Sequence, residues 1–333
     1  MNQVRLFALV SAMIMCYSSA SHAIVGAGVH WGFDFGLSMD DVQQEQAFYE
    51  GFSDAAEDFL DSIPNLETIA GYSVDEFLEL MEGQPIRSGL LPITVSRTDW
   101  SRTVYNFGGK VFVDVIPVLD AIELAVNFGV WEYEGIINYP VGPSADIDDP
   151  ALAEKIQENP GAVTYSDFLA YDSVPITLER LDESFLGLSK TPFVKLQFDL
   201  SVRKDIFTLP KRRKKLRVYA GGGVSMIFNT PALTAELVEE VMGETLTGEV
   251  GDIDDFAVSG EDLQEKVLSK MIRDFQVPTF GINLLAGTMV KIPIIPVGVY
   301  GDLKYTLPFS DLEDAANING SGLMINLGVT FTL

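Results

Sequence analysis

The sequence predicts an all-β fold, a closed eight-stranded antiparallel transmembrane β-barrel with long, partly helical extracellular loops. Three observations lead to this prediction. Eight segments alternate apolar residues with polar or small ones, the links between them alternate between short and long, and most acidic residues lie in the long links. Apolar residues make up 47% of the chain, and its formal net charge is −26. Because most acidic residues lie in the long links, charged and apolar residues are segregated along the sequence.

A secretory signal peptide is expected at residues 1–23. A positive charge precedes an almost wholly apolar run at residues 6–15, and residues 21–23 form a small-x-small cleavage site. The apolar run is too short for a membrane-spanning helix. Lipidation of Cys16 is the disfavoured alternative, because a bulky residue precedes it where that chemistry needs a small one. The mature domain, expected at 24–333, then has no cysteine for a disulfide, a thiolate nucleophile or a metal site.

The eight segments follow a period of two, the signature of half-buried strands. They cover residues 26–37, 107–115, 122–131, 194–203, 216–228, 280–292, 297–305 and 322–333. Inside hydrocarbon, an open sheet edge leaves backbone N–H and C=O groups unpaired at a cost of several kcal/mol each. A membrane-spanning sheet therefore closes on itself, and the last segment is expected to pair with the first.

The alternative interpretation of residues 280–300 is a membrane-spanning helix, since the stretch is long and apolar. Pro293 and Pro296 interrupt it, Lys291 lies within it, and its apolar period is two rather than 3.6. We therefore predict two strands joined by a short turn.

The alternating link lengths predict the orientation of the barrel. The long links are expected at about 38–104, 135–192, 229–276 and 306–319. Outer-membrane barrels combine short periplasmic turns with long external loops, so the acidic links are expected to face outward.

Three helices are expected in the long links. Ser38 is a candidate cap for a helix carrying Phe48, Phe52, Ala55 and Phe59, and Thr230 precedes Leu233, Leu237 and Val241 at helical spacing. Ser259 precedes a third set, Leu263, Val267, Met271 and Phe275. Such stripes indicate helices packed on each other or on the barrel rim, or else a binding surface or lid over the barrel mouth.

The lumen is the candidate functional site. The predicted inward-facing titratable residues are His30, Asp34, Lys110, Asp114, Lys195, Asp199, Arg203, Arg217, Lys291, Asp302 and Lys304. An eight-stranded barrel has room for little beyond its own side chains, so these charges are expected to form salt bridges that fill it. Many inward positions are glycine, which leaves room for water or a narrow path, or relieves crowding at bends.

An enzyme is not expected, and neither is a cofactor. His30 and Asp34 share a strand face, but four strand residues separate them by about 13 Å, too far for direct contact within the strand. No serine lies in a nucleophile-type setting near them.

Two acidic repeats are candidate sites for divalent cations, which prefer oxygen ligands. They comprise Asp146, Asp148, Asp149, Asp252, Asp254 and Asp255. The spacing of an EF-hand is absent, and the alternative is a pair of solvated turns or helix starts.

Residues 211–215 form a run of basic side chains. Nucleic-acid binding does not fit a chain this acidic, so we expect a periplasmic turn beside anionic headgroups.

The C-terminal residues carry a pattern typical of bacterial barrels. Asn326 is followed by Gly328 and then by Phe331 and Leu333, with leucine in place of the usual terminal aromatic residue. With the eight alternating segments, the chain resembles the small eight-stranded outer-membrane β-barrel family that includes the OmpA transmembrane domain. The resemblance implies location in the outer membrane of a Gram-negative-type bacterium. Its implied partners are outer-membrane lipid, lipopolysaccharide and the barrel assembly machinery.

Two functions remain after these exclusions. The favoured one is a structural or surface-interaction role, in which the barrel displays acidic external loops. The alternative is a narrow pore or transporter for small solutes.

Overall fold

The computed structural model describes residues 25–49, 91–101, 105–114, 120–143, 150–158, 167, 169–177, 190–209, 215–245, 260–292, 295–309 and 322–332. The strands are β1 (Val25–Asp34), β2 (Val42–Tyr49), β3 (Leu91–Thr98), β4 (Tyr105–Val113), β5 (Ala121–Pro143), β6 (Leu169–Pro175), β7 (Thr191–Leu209), β8 (Leu216–Asn229), β9 (Thr279–Lys291), β10 (Val297–Pro308) and β11 (Gly322–Thr332). The helices are α1 (Pro150–Glu158), α2 (Ala235–Thr245) and α3 (Gly260–Asp274).

Eight of the strands close into an antiparallel barrel, as the sequence predicts. Their order is β1, β4, β5, β7, β8, β9, β10 and β11, and β11 pairs back to β1. Paired residues can be followed once around the barrel, from Gly26 on β1 to Gly322 on β11. Gly322 lies beside Gly36, which is ten residues after Gly26, so the barrel has a shear of ten residues. This shear corresponds to a strand tilt of roughly 40° for ~3.3 Å per residue and ~4.8 Å between strands.

The two faces of the barrel wall differ in the way that the period-two pattern predicts. Large apolar side chains on the outer face are exposed, including Val29, Val111, Leu124, Leu200, Val224, Leu284, Val299 and Val329. On β9 the outward apolar positions extend from Val290 to Phe280. At the tilt of this barrel that span is about 25 Å, the height of the apolar band on a transmembrane barrel.

A second sheet continues the wall beyond the barrel on the side of the long links. β5 is 23 residues long, and only its first part, up to Tyr133, pairs with β7. Its last part pairs with β3 on one edge and β6 on the other, and β3 also pairs with β2. We call β2, β3, the end of β5 and β6 the outer sheet. It was not predicted, because the acidic composition of links 38–104 and 135–192 obscured their short alternating segments.

The helices agree with two of the three predictions. Of the expected apolar positions, α2 contains Leu237 and Val241, and α3 contains Leu263, Val267 and Met271, while Leu233 precedes α2 and Phe275 follows α3. Thr230 does not cap α2, because its N–H and Oγ1 both bond the backbone of Val194 on β7. Thr234 caps the helix instead, accepting from the Leu237 N–H at 3.1 Å, and Leu233 precedes it.

The helix predicted after Ser38 is wrong where the structure describes it. Residues 42–49 form β2, so Phe48 lies in a strand that pairs with β3. Phe52, Ala55 and Phe59 lie outside the described residues. Helix α1 was not predicted.

In the stretch 280–300, β9 extends to Lys291 and β10 begins at Val297, so the two predicted strands are confirmed. Among the described helices, none has the length and apolar character needed to cross a membrane.

Candidate functional site

Asp199 lies at the centre of the barrel interior and accepts hydrogen bonds from several strands. Lys304 Nζ and Asn127 Nδ2 donate to its Oδ2 at 2.6 and 3.1 Å. Gln197 Nε2 and Ser225 Oγ donate to its Oδ1 at 2.8 and 2.5 Å. The carboxylate therefore ties β5, β8 and β10 to its own strand, β7.

His30 joins this network through neutral partners. Its Nδ1 is 2.8 Å from Tyr300 Oη, and its Nε2 is 2.8 Å from Asn127 Oδ1. Asp34, on the same face of β1, lies 3.0 Å from Lys195 Nζ. The histidine is thus placed in a hydrogen-bond network of the lumen, and its two ring nitrogens bond an amide and a phenol rather than Asp34.

A second charge cluster lies nearer the short turns. Lys110 Nζ is 2.5 Å from Asp302 Oδ2 and 3.4 Å from Glu123 Oε2. Arg203 Nη1 donates to the same Glu123 oxygen at 2.8 Å, and Tyr219 Oη donates to Asp302. Two cations and two carboxylates therefore alternate across the lumen.

Aromatic rings cover the cations of this cluster. Lys110 Nζ lies 3.7 Å from the ring centroid of Tyr300, and Arg203 Cζ lies 4.3 Å from that of Phe112. Cation–π attraction of this kind offsets part of the desolvation cost of a buried charge. The rings belong to a buried apolar cluster formed by Phe112, Tyr219, Leu285, Met289 and Tyr300.

Ion pairs also lie towards the two ends of the lumen. At the short-turn end, Arg217 Nη1 is 3.2 Å from Asp114 Oδ2 and 3.8 Å from Asp205 Oδ2. At the opposite end lies the Lys195–Asp34 pair. Lys291 is half-buried at the end of β9. The candidate lumen residues therefore lie together in the barrel interior, except for Lys291, which lies at its margin.

The interior is filled by its own side chains. The side chains of Asp199, Arg203 and Lys304 are only 0%, 0% and 2% exposed. A continuous water-filled channel would leave such groups accessible. Charges this deep cost several kcal/mol each to desolvate, which the opposite charges and hydrogen bonds beside them offset.

Aromatic side chains close the end of the lumen below the outer sheet. Trp131 and Phe193, paired across β5 and β7, have ring centroids 6.1 Å apart. Trp100 stacks on Trp131 at 6.4 Å and also contacts Tyr133 at 6.1 Å. Trp131, Tyr133 and Phe193 are each at most 1% exposed. This aromatic layer separates the charged interior from the space above it.

Helices α2 and α3 lie over the aromatic layer, and we call them, with residues 230–234, the cap. Odd-numbered residues of β5 face the lumen in the barrel, and the same face continues into the outer sheet. There Tyr133 Oη accepts from the Leu233 N–H at 2.9 Å, and Leu233 Cδ2 lies next to Gly135. α2 contacts β2 and β3, while α3 contacts α2 and β6. The cap therefore covers the barrel mouth.

A buried arginine fixes the start of the cap. Arg97, on β3, donates from Nη1 to the Leu233 carbonyl oxygen at 2.7 Å and also to Glu45 Oε2. Its side chain is 2% exposed. One charged group thus joins β2, β3 and the segment that leads into α2.

An acidic cleft of about 310 Å³ lies between α2, α3 and the barrel rim. Its lining includes Glu236, Glu240 and Asp274. Lys270, buried between the helices, donates to Glu240 and lies 3.2 Å from Asp274. The lysine offsets two of these three carboxylates, and the described residues contain no cluster suited to a metal ion.

The metal-site candidates lie outside the described residues, since Asp146, Asp148, Asp149, Asp252, Asp254 and Asp255 are all in undescribed links.

Of the C-terminal pattern, Asn326 faces the lumen and donates to Asn127 at 3.3 Å, while Phe331 is exposed on the outer face. Gly328 lies beside His30 in the ladder, and Leu333 is outside the described residues.

The predicted set of lumen residues omits several members of the network, among them Glu123, Tyr219 and Tyr300. Glu123 lies between Ile122 and Leu124, so the alternation of β5 contained the signal for it. Tyr219 and Tyr300 are on the predicted inward faces, but charge alone does not identify phenols as partners of buried ions.

No protein-family model and no curated protein matches this sequence. Among solved structures, the chain is similar to the crystal structure of Neisserial surface protein A (NspA), with 8% identity and a TM-score of 0.30, over 94% of this chain and 98% of that chain. A likeness at this level carries no functional argument. The assignment of a closed eight-stranded barrel therefore rests on the strand pairings themselves.

Proposed function

We propose that the protein is an outer-membrane β-barrel with a structural or surface-interaction role. In this proposal the barrel anchors the outer sheet and the cap at the cell surface, and no enzymatic step is involved. The single observation that carries the proposal is the filled lumen, in which Lys304 pairs with Asp199 and Arg203 pairs with Glu123, all four side chains being buried. A barrel whose interior is packed acts as an anchor rather than a passage.

The folded elements beyond the membrane support a surface role. The outer sheet and cap have their own buried residues, among them Ile93, Val95, Ile137, Val238, Val241 and Val267. Long insertions with their own packed structure are typical of functional loops. The high negative charge of the chain adds electrostatic selection for cationic or cation-bridged partners.

The proposed surroundings follow from the same topology. The signal peptide at 1–23 would direct export. The short turns would face the periplasm, and the cap would lie in contact with lipopolysaccharide. The C-terminal residues Asn326, Gly328, Phe331 and Leu333 are proposed to engage the barrel assembly machinery. Divalent cations at the undescribed acidic repeats remain part of the proposal.

A narrow pore is the second candidate, and one observation favours it. Arg203 Nε and Nη2, Gln197 Oε1 and Thr330 Oγ1 are buried without a hydrogen-bond partner in the described structure. Buried polar atoms of this kind are often satisfied by water. A chain of such waters would give a proton or small-ion path.

Planar-bilayer conductance of the purified full chain distinguishes the two functions. The packed lumen predicts no steady ionic current above that of the bare membrane. A stable current that disappears when Arg203 and Arg217 are changed to methionine would establish the pore and overturn the anchor. Correct folding of each variant is checked by the shift in electrophoretic mobility on heating.

A second measurement tests the surface role directly. Protease added to intact cells is expected to cleave the outer sheet and cap while leaving the barrel strands protected. Protection of the whole chain in intact cells, with cleavage only after the envelope is opened, would contradict the proposed orientation.

A further inference from the structure

The end of α3 lies directly at the barrel rim. Only residues 275–278 separate its last residue, Asp274, from the first residue of β9, Thr279. The N–H groups of residues 275–277 donate to carbonyl oxygens of the last helical turn at 3.1 to 3.2 Å. This short, hydrogen-bonded connection holds the C-terminal turn of α3 close to the outermost residues of β8 and β9.

An exposed apolar patch surrounds this connection. The exposed fractions of Ile272, Phe280 and Phe309 are 56%, 55% and 72%. Phe275 lies one residue beyond α3, and its N–H donates to the Met271 carbonyl oxygen at 3.2 Å, which continues the last helical turn. Its ring lies 6.4 Å from that of Phe228. Neighbouring exposed apolar side chains of this kind mark a surface that contacts a membrane or a partner.

The patch is continuous with the lipid-facing surface of the barrel. Phe228 projects from the outer face of β8 and its ring contacts that of Phe198 at 6.0 Å. Phe280 is the outermost residue of the apolar band on β9. Ile272 and Phe275 therefore lie at and just beyond the outer edge of a band about 25 Å tall, where lipid headgroups meet acyl chains.

The charged residues of α3 also differ between its start and its end at the barrel rim. Glu261 and Asp262 lie in its first turn and Arg273 in its last. Gly260, at the acidic end, is adjacent to Tyr139 and Val174 of the outer sheet, away from the rim. Glu261, Asp262 and Arg273 complement the helix dipole. At the rim end Arg273 is 55% exposed and lies 3.8 Å from Asp274, so this end brings an exposed cation, beside one carboxylate, to the level of lipid phosphates.

We propose that the end of α3 and the residue that follows it, residues 272–275, are embedded in the outer leaflet of the membrane that holds the barrel. Ile272 contacts acyl chains, Phe275 rests on Phe228, and Arg273 lies among the headgroups. Interfacial helices bind membranes through this combination of an apolar face and basic residues. The inference rests on the proposed membrane location of the barrel. It adds a second, peripheral attachment that holds the cap to the bilayer.

Single-cysteine variants test this contact. Cys16, the one native cysteine, is replaced by serine, and an environment-sensitive fluorophore is attached at Ile272→Cys, Glu265→Cys or Leu284→Cys. Each labelled chain is reconstituted in phosphatidylcholine vesicles with or without brominated acyl chains. Glu265 is the matched control, because it lies two turns earlier on the same side of α3. Leu284 reports insertion of the barrel.

The expected result is an emission loss of about two-fold or more at positions 272 and 284, and little change at 265. Quenching at 284 without quenching at 272 would overturn the inference and leave the proposed barrel intact. Absence of quenching at 284 would overturn the membrane location itself. The unlabelled Ile272→Cys chain is also tested for disulfide-linked dimers in lipid. If such dimers form while position 284 is quenched, a second copy of the chain covers the patch, which would contradict the inference.

Discussion

Lys304 Nζ lies 2.6 Å from Asp199 Oδ2, in a contact that crosses the lumen between two strands that are not neighbours in the sheet. Both side chains are almost completely buried. The pair therefore braces β10 against β7 through the interior, in addition to the ladder hydrogen bonds around the wall. Because the same carboxylate accepts from Asn127, Gln197 and Ser225, its charge is the one around which this layer of the lumen is arranged.

Removing the cation of this pair is expected to destabilise the barrel strongly. Lys304→Met leaves the buried Asp199 carboxylate without its ion-pair partner, at a cost of about 3–5 kcal/mol. Urea unfolding of the detergent-solubilised barrel, followed by tryptophan fluorescence and by electrophoretic mobility, measures the change.

The double variant Lys304→Met with Asp199→Asn is the matched control. It removes both charges but keeps an amide that can bond the remaining neighbours, so most of the lost stability is expected to return. If the double variant were as unstable as, or less stable than, the single one, the cost would lie in lost packing around Lys304 and not in an uncompensated charge.

Two neighbouring glycines on β4 offer a matched test of how tightly the wall is packed. A Cβ at Gly108 would lie 2.1 Å from the Val126 carbonyl oxygen and 2.5 Å from His30 Nε2. A Cβ at Gly109 would meet nothing closer than the Gly28 carbonyl oxygen at 3.2 Å. Gly108→Ala is therefore expected to cost about 1–3 kcal/mol, and Gly109→Ala less than about 1 kcal/mol.

The urea midpoints of these two variants, measured under one set of conditions, check the difference. Equal midpoints would mean that the lumen has room for an extra methyl group beside His30. That result would favour the glycine positions as part of a narrow path through the barrel.

The eight barrel strands were predictable because the wall has lipid on its outer face and a polar interior on its inner face. Successive residues of each strand therefore alternate between apolar and polar. Segment 194–203 shows this directly, since Lys195, Gln197, Asp199, Ser201 and Arg203 are all buried in the lumen. The pairing of particular charges was not predictable. Which cation meets Asp199 depends on the register of non-neighbouring strands, and a period-two pattern carries no information about register around a closed sheet.

The outer sheet was missed for a different reason. In β5, Tyr133, Ile137 and Tyr139 continue the buried face of the barrel strand for several residues beyond the predicted boundary. Because these residues lie in an acidic link, composition was given more weight than their alternation. The same weighting produced the incorrect helix around Phe48, whose extended conformation depends on pairing with the distant strand β3.

Tyr171, on the outer sheet, gives a prediction about alkaline pH. Burial raises the pKa of its phenol to about 12, and its Oη has no hydrogen-bond partner in the described structure. Below pH 10 the phenol is protonated in both the folded and the unfolded chain. Between pH 10 and about 12 the unfolded chain releases this proton first, so the free energy of unfolding falls as the pH rises.

Tyr171→Phe removes that contribution without removing the ring. At neutral pH its stability is expected to equal or slightly exceed that of the parent chain, by up to about 1 kcal/mol, because an unpaired buried hydroxyl is lost. At pH 11 it is expected to retain more of its neutral-pH stability than the parent does. The comparison uses unfolding midpoints at both pH values, and an identical fall in the two proteins would contradict the raised pKa of Tyr171.

The attachment of the cap to the outer sheet depends on Arg97, and its removal is expected to loosen the cap without opening the barrel wall. Arg97→Met keeps the apolar stem but removes the charged hydrogen bonds to the Leu233 carbonyl oxygen and to Glu45. A charge-assisted bond of this kind is worth about 1.5–3 kcal/mol. Amide exchange across residues 233–245 is therefore expected to accelerate by about ten-fold or more, since local opening becomes easier by that amount.

Hydrogen exchange followed by mass spectrometry separates the cap from the barrel in the same experiment. Strands β8 and β9 serve as the internal reference, and their exchange is expected to stay unchanged. Lys190→Met is the control variant, because Lys190 forms exposed ion pairs with Asp99 and Glu134 in the same external region, where such pairs contribute little. Unchanged exchange in residues 233–245 of Arg97→Met would show that apolar packing of α2 on β2 and β3, rather than the buried arginine, holds the cap over the barrel mouth.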